Sequence, residues 1–154
     1  MAVIATLAYL AVQVRQNTRA LQTASRQEIV AGFRAYNRLF FEPGVDDAFN
    51  RGIRSYPDLP TDAKAKFSNL INDQALFFQG AFALYEAGTL EDETYSAYLN
   101  FFAAILSTPG GAAWWAAASP LYTPRMVSAV NAKVAARQVP NLLESELFPE
   151  PPAV

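Results

Sequence analysis

The chain has 154 residues, 52% of them hydrophobic and 17% charged, with a formal net charge of −2. It contains no Cys and no His, which excludes thiol redox chemistry, Cys nucleophiles, Cys/His zinc sites and His-based acid–base catalysis. The slightly acidic balance leaves no electrostatic case for nucleic-acid binding.

This length suits one ordinary domain that buries a core without metal or disulfide staples. The charged fraction is well below the usual soluble mix. That shift implies an unusually apolar interior or a surface that meets something other than water.

The chain opens on an uncharged run, MAVIATLAYLAVQV, in which only Thr6, Tyr9 and Gln13 are polar. Fourteen helical residues reach roughly 21 Å, short of the roughly 30 Å hydrocarbon core of a bilayer. A basic residue before the run and a small-residue cleavage site after it would mark a secretory leader, and neither is present. Arg15, Arg19 and Arg26 lie just C-terminal to the run. Long Arg side chains reach a headgroup layer and extend the effective span, and positive charge on this flank holds the rest of the chain on the cytoplasmic side. Residues 1–14 are therefore expected to contact a membrane through Val3, Ile4, Leu7, Tyr9, Leu10 and Val14, with Arg15 and Arg19 at the headgroups. A core helix of the same chain and a helix docked on another protein are the alternatives.

The first helix is expected to continue to about Phe41. Val3, Leu7, Leu10 and Val14 share a one-face rhythm, with Leu21 one heptad further on, and Ile29, Phe33, Tyr36 and Phe40 form a second stripe. Pro43-Gly44 ends the helix. A short second helix presents Val45, Phe49, Ile53 and Tyr56 inward, with an Asp47–Arg51 pair on its outer face, and Pro57 stops it. A third starts near Pro60-Thr61-Asp62 and runs to Ala87, with Phe67, Leu70, Ile71, Ala75, Phe78, Phe82 and Tyr85 buried. It is apolar nearly all round from Ala75, which makes it the central helix. Thr89-Leu90-Glu91-Asp92 matches a capping box for a fourth helix carrying Tyr95, Tyr98, Leu99, Phe102, Ile105 and Leu106 inward. Pro109-Gly110-Gly111 reads as a break. A short helix then carries Trp114 and Trp115 and ends at Ser119-Pro120. A last helix opens at Thr123-Pro124, with Val127, Val130 and Val134 inward and Lys133 and Arg137 outward. From Val139, four prolines and three glutamates in sixteen residues indicate an irregular tail with a short contact over Leu142–Phe148.

The expected fold is thus all-α, a bundle of five to six helices behind a long N-terminal helix. Its parts are a membrane-associating segment over 1–14, a helical domain over 15–138 and a Pro-rich tail over 139–154.

Two stretches carry a resemblance. Tyr9 to Leu21, ending Arg15-Gln16-Asn17-Thr18-Arg19-Ala20-Leu21, resembles the N-terminal signature of a bacterial family of short proteins of unestablished function. Ser107-Thr108-Pro109-Gly110-Gly111-Ala112-Ala113-Trp114-Trp115, followed by Tyr122-Thr123-Pro124, is similar to that family's second signature. The match reaches from about residue 5 to about residue 130. It implies a hydrophobic N-terminal helix, attachment to the bacterial cytoplasmic membrane and a helical domain on its cytoplasmic side, but no activity. Family members carry a longer hydrophobic segment ahead of this point, so the resemblance implies either an anchor beginning further upstream or an unusually short one.

The remaining candidates are few. Adjacent Trp114 and Trp115 point about 100° apart on a helix, so one is expected in the core and the other at an edge, a groove or a membrane interface. Pro109-Gly110-Gly111 lacks the Lys and Ser/Thr of a phosphate loop and reads as a turn. Glu86 near a helix C-terminus is disfavoured by the dipole and is expected to meet Arg34, Arg38 or a partner. Phe77 and Phe101 belong to an aromatic set on the third and fourth helices that fits either a core or a pocket for an apolar ligand. No cofactor, metal ligand set or catalytic pairing is legible. The reading is a non-enzymatic module that meets membrane lipid and docks on a membrane protein complex. A small carrier of lipid or another hydrophobic ligand is the runner-up, and an enzyme a distant third.

Overall fold

A computed structural model describes residues 2–145 and 148. Its described residues form an all-α bundle without strands: α1 (Ala2–Leu39), α2 (Val45–Ser55), α3 (Thr61–Glu86), α4 (Asp92–Leu106), α5 (Pro109–Ala118) and α6 (Pro124–Ala135). Short 3₁₀ turns cover Ser119–Leu121 and Leu142–Glu144. As its apolar stretch requires, α3 is central and packs against α1, α2 and α4, while α5 sits on α2 and α4 and α6 on α4. Phe67, Ile71, Ala75 and Phe78 of α3 are fully enclosed.

At 38 residues, α1 is about 57 Å long, and only its C-terminal half joins the bundle. Ser25, Ile29 and Tyr36 are buried, whereas every described side chain from Val3 to Leu21 is exposed. The two halves obey different rules: one packs against α3, and the other projects as a free arm. The helix stops at Leu39, slightly before the expected Phe41. There the amides of Phe40, Phe41 and Glu42 turn back onto the carbonyls of Asn37, Arg38 and Leu39, tightening the last turn before Pro43. Gly44 then adopts a left-handed φ of 74°.

Two expected boundaries change. Thr89 does not cap α4. Its hydroxyl instead donates to the Leu84 carbonyl and closes the end of α3, helped by Gly88 at a left-handed φ of 72°. Pro109-Gly110-Gly111 is not a break but the first turn of α5. The break is only Ser107-Thr108, because Thr108 is the N-cap and its hydroxyl accepts from the Gly111 amide at 3.1 Å. Proline at the first helical position fits this start.

The glycine pair has a packing reason. A Cβ on Gly110 would lie 1.6 Å from the Gly52 carbonyl oxygen, and one on Gly111 would lie 2.0 Å from the Ile105 carbonyl oxygen. At Gly110 the backbones of α5 and α2 touch, and at Gly111 the first turn of α5 meets the end of α4, so a side chain at either position would push backbone apart. On α6, Met126 and Val130 are fully buried, and Val127 and Val134 only half so. Arg137 lies past the helix end in a left-handed conformation, φ 51°. The tail contact exists: Leu142 is buried, and the Phe148 ring lies 5.5 Å from Phe49. Residues 146, 147 and 149–154 of the expected irregular tail lie outside the described residues, as does Met1.

Candidate functional site

The projecting arm, Val3–Leu21, is the surface on which the sequence and the structure converge. Val3, Ile4, Leu7, Tyr9, Leu10, Val12 and Val14 are all large, apolar and exposed, from 71% for Val3 to 48% for Leu10. At about 100° per residue, Val3, Leu7, Leu10 and Val14 make one face, while Ile4, Tyr9 and Val12 point elsewhere. The arm is therefore apolar over most of its circumference up to Val14, with Thr6, Tyr9 and Gln13 together on one narrow polar stripe. Leaving seven such side chains in water is unfavourable by roughly 25 cal/mol per Å², and a contiguous exposed apolar surface marks an interaction site.

Several polar groups of α1 here bond within the helix. Gln13 Nε2 donates to Tyr9 Oη at 2.8 Å, and the Thr18 and Thr23 hydroxyls donate to the carbonyls of Val14 and Arg19. Internal pairing of this kind is what an apolar surrounding demands, since such a medium offers no replacement hydrogen bonds. Beyond Val14 the character changes. Arg15 and Arg19 make no ion pair among the described residues, and Arg26 pairs with Glu91 at the α3–α4 turn. All three arginines fall on the side away from the Val3–Val14 face, so residues 15–26 are one-sided where residues 3–14 are not. Among the described residues no helix is long and apolar enough to cross a membrane. The idea of a transmembrane helix therefore narrows to an apolar arm that is too short to span.

The other candidate residues have different fates. Both indoles are buried, Trp114 at 5% and Trp115 at 7% exposure, so neither lies at an edge. α5 is sandwiched, and the two adjacent indoles lie near-parallel, 6.3 Å apart between ring centroids. Trp115 Nε1 donates to Asn131 Oδ1 of α6 at 2.8 Å, and its ring stands edge-on to Phe102 of α4. Both indoles also share Tyr122, Trp115 stacked on it at 5.5 Å and Trp114 tilted at 6.5 Å. Glu86 pairs with neither Arg34 nor Arg38 but with Arg125 at the start of α6, at 2.5 Å. Phe77 and Phe101 are half-buried and share a ring cluster centred on Phe33 of α1, at 6.2 Å and 5.7 Å between centroids. The ring pairs there are tilted or edge-to-face, the usual geometry of a packed aromatic core.

Several features had no sequence signal. Phe33 is the hub where α1, α3 and α4 meet. Gln74, in the middle of α3, is fully buried with neither amide atom hydrogen-bonded, and the buried Tyr36 hydroxyl is also unpartnered. Burial, helped by the nearby Asp73 carboxylate, pushes the Tyr36 phenol well above its ordinary pKa. Asp92 beside Tyr85, and burial at Tyr95, Tyr98 and Tyr122, raise those phenols as well. An open groove of about 380 Å³ runs between α1 and α3, floored by Ile29, Phe77 and Ala81 and rimmed by the exposed Leu76. Among the described residues no cluster of three or more carboxylates is placed to hold a metal ion.

In comparisons with known proteins, no family model, curated protein or solved structure matches this chain.

Proposed function

We propose that this protein is a non-enzymatic accessory module held at a bacterial cytoplasmic membrane by the α1 arm, with the helical domain on the cytoplasmic side docking on a membrane protein complex. One observation carries the reading: an unbroken helical arm, apolar over most of its circumference through Val14 and covered by no other described part of the chain. Two further features support it. Tyr9, Gln13 and Thr18 make hydrogen bonds within the helix, and cationic residues begin at Arg15, just past the uncharged run. An arm of roughly 21 Å inserts part-way, with Arg15 and Arg19 at the headgroups.

The test is flotation with phosphatidylcholine/phosphatidylglycerol vesicles. The full chain is expected to float, and Leu7→Glu/Leu10→Glu to remain at the bottom of the gradient with unchanged circular dichroism. A full chain that stays unbound while folded defeats the proposal.

The runner-up, a carrier for a small hydrophobic ligand, draws on the α1–α3 groove. Native mass spectrometry of purified protein separates the two: an extra mass lost on Gly80→Phe would favour the carrier.

A further inference from the structure

The apolar surface of α1 outlasts the segment that a bilayer needs. Val3, Leu7, Leu10, Val14, Asn17 and Leu21 are spaced four, three, four, three and four residues apart, a seam that continues two turns past Arg15. Leu21 is 57% exposed and lies beyond the arginines, on the aqueous side of any headgroup layer. Membrane insertion explains an arm that is apolar over most of its circumference across 3–14. It does not explain a large apolar side chain held on the same line in water.

A four–three seam is the pattern by which helices pair. The residues flanking it are Ile4, Thr6, Ala11, Gln13, Thr18 and Ala20, with no charge among them, while Arg15, Arg19 and Arg26 lie on the far side. Two identical seams therefore meet without like-charge repulsion. Nothing on their flanks selects a partner of opposite charge. Asn17 occupies the one polar seam position, and its amide reaches its own counterpart only when two copies lie parallel and in register, the register-setting use of a polar seam residue.

We infer that α1 pairs with α1 of a second copy of this chain through the seam from Val3 to Leu21, as a parallel two-helix contact. The parallel direction rests on the membrane reading, which brings both arms to one surface from one side. The other faces of the arm, with Ile4, Ala8, Tyr9 and Val12, remain for lipid. The paired strip is about 28 Å long on a helix about 10 Å across, well below the ~800 Å² per partner of a standard interface. Pairing is accordingly weak in dilute solution and pronounced where copies are concentrated on a bilayer.

Because the chain has no cysteine, single-cysteine variants report on this directly. Leu10→Cys and Leu21→Cys lie on the seam. Val12→Cys and Thr23→Cys lie two residues on, about 200° around the helix. All four positions are exposed, so the folded domain is left alone. Under mild oxidation on phosphatidylcholine/phosphatidylglycerol vesicles, the seam variants are expected to form disulfide dimers at least tenfold more than the off-seam pair. Adding Leu21→Glu to Leu10→Cys is expected to abolish the dimer while the protein still floats. Equal cross-linking at all four positions, or none in samples that float, overturns the pairing while leaving membrane attachment intact. If the samples do not float, attachment fails, and the same seam-against-off-seam ratio measured in concentrated solution decides the pairing.

Discussion

Gly80 and Gly110 both lie inside helices, yet replacing each by alanine is expected to change stability in opposite directions. Within a helix interior, Gly→Ala relieves backbone entropy and stabilises by about 1 kcal/mol. At Gly80 nothing lies within 4 Å of the added Cβ, so Gly80→Ala is expected to deliver most of that gain. At Gly110 the new Cβ would meet the Gly52 carbonyl oxygen at 1.6 Å and the Tyr56 amide nitrogen at 3.0 Å. Both obstacles are backbone, so no rotamer change relieves them, and α5 must withdraw from α2 by at least about 1.4 Å to restore a 3.0 Å contact. That movement loosens the packing around Trp114 and Trp115 and strains the Thr108 cap. Overpacking without an escape sits at or above the upper end of the usual 1–3 kcal/mol, leaving a net loss of about 2–4 kcal/mol after the propensity gain. For a chain of this size each kcal/mol moves Tm by about 2–4 °C. Gly80→Ala should therefore raise Tm by a few degrees, and Gly110→Ala lower it by roughly 5–15 °C. Thermal and urea unfolding followed by circular dichroism at 222 nm measures both. A neutral or stabilised Gly110→Ala protein would refute the close α2–α5 approach, and with it the packing account of Pro109-Gly110-Gly111.

Two further substitutions probe buried polar groups. Tyr36→Phe removes a hydroxyl that is buried without a partner, so at pH 7 it should leave stability unchanged or raise it by about 1–2 kcal/mol. Because the Tyr36 phenol is raised in the folded state, its neutral form contributes fully below the unfolded value of about 10 and loses that contribution as pH rises further. Urea midpoints between pH 8 and 11 should thus fall less steeply above pH 10 in the variant, and an unchanged slope would show that Tyr36 does not govern the alkaline limb. Gln74→Met keeps the shape of the side chain while deleting two buried, unpaired amide atoms. A gain of about 2 kcal/mol is expected in the urea midpoint, whereas a loss above 1 kcal/mol would mean that the amide has a partner.

Helix positions are readable from the sequence because local patterns carry them. The spacing of Phe67, Ile71 and Phe78 demands a buried stripe, and Pro43-Gly44 and Pro57 interrupt it wherever they fall. Caps are less legible. Thr89 and Thr108 are both threonines a few residues ahead of an apolar run, yet Thr89 only closes the preceding helix while Thr108 both closes α4 and opens α5. Which carbonyl or amide a hydroxyl meets depends on where the previous helix ends, and that is a matter of packing. Trp114 and Trp115 depart from expectation for a similar reason. A single helix points two adjacent residues apart, but a helix enclosed by α2, α4 and α6 buries both.

Composition alone established that Cys- and His-based chemistry is missing, and the rhythm of apolar residues established an all-helical chain that opens on an uncharged segment. Whether that segment packs in the core or stands free was not contained in its own pattern, since a core helix and a surface arm can share the same residues. Only the tertiary arrangement decided it. α3 offers α1 a partner from Ser25 onward and nothing before Leu21, because the bundle is shorter than the 38-residue helix it holds. Gly110 tells the same lesson in reverse: its tolerance for no side chain comes from Gly52 of α2, nearly sixty residues earlier, a neighbour that only folding supplies.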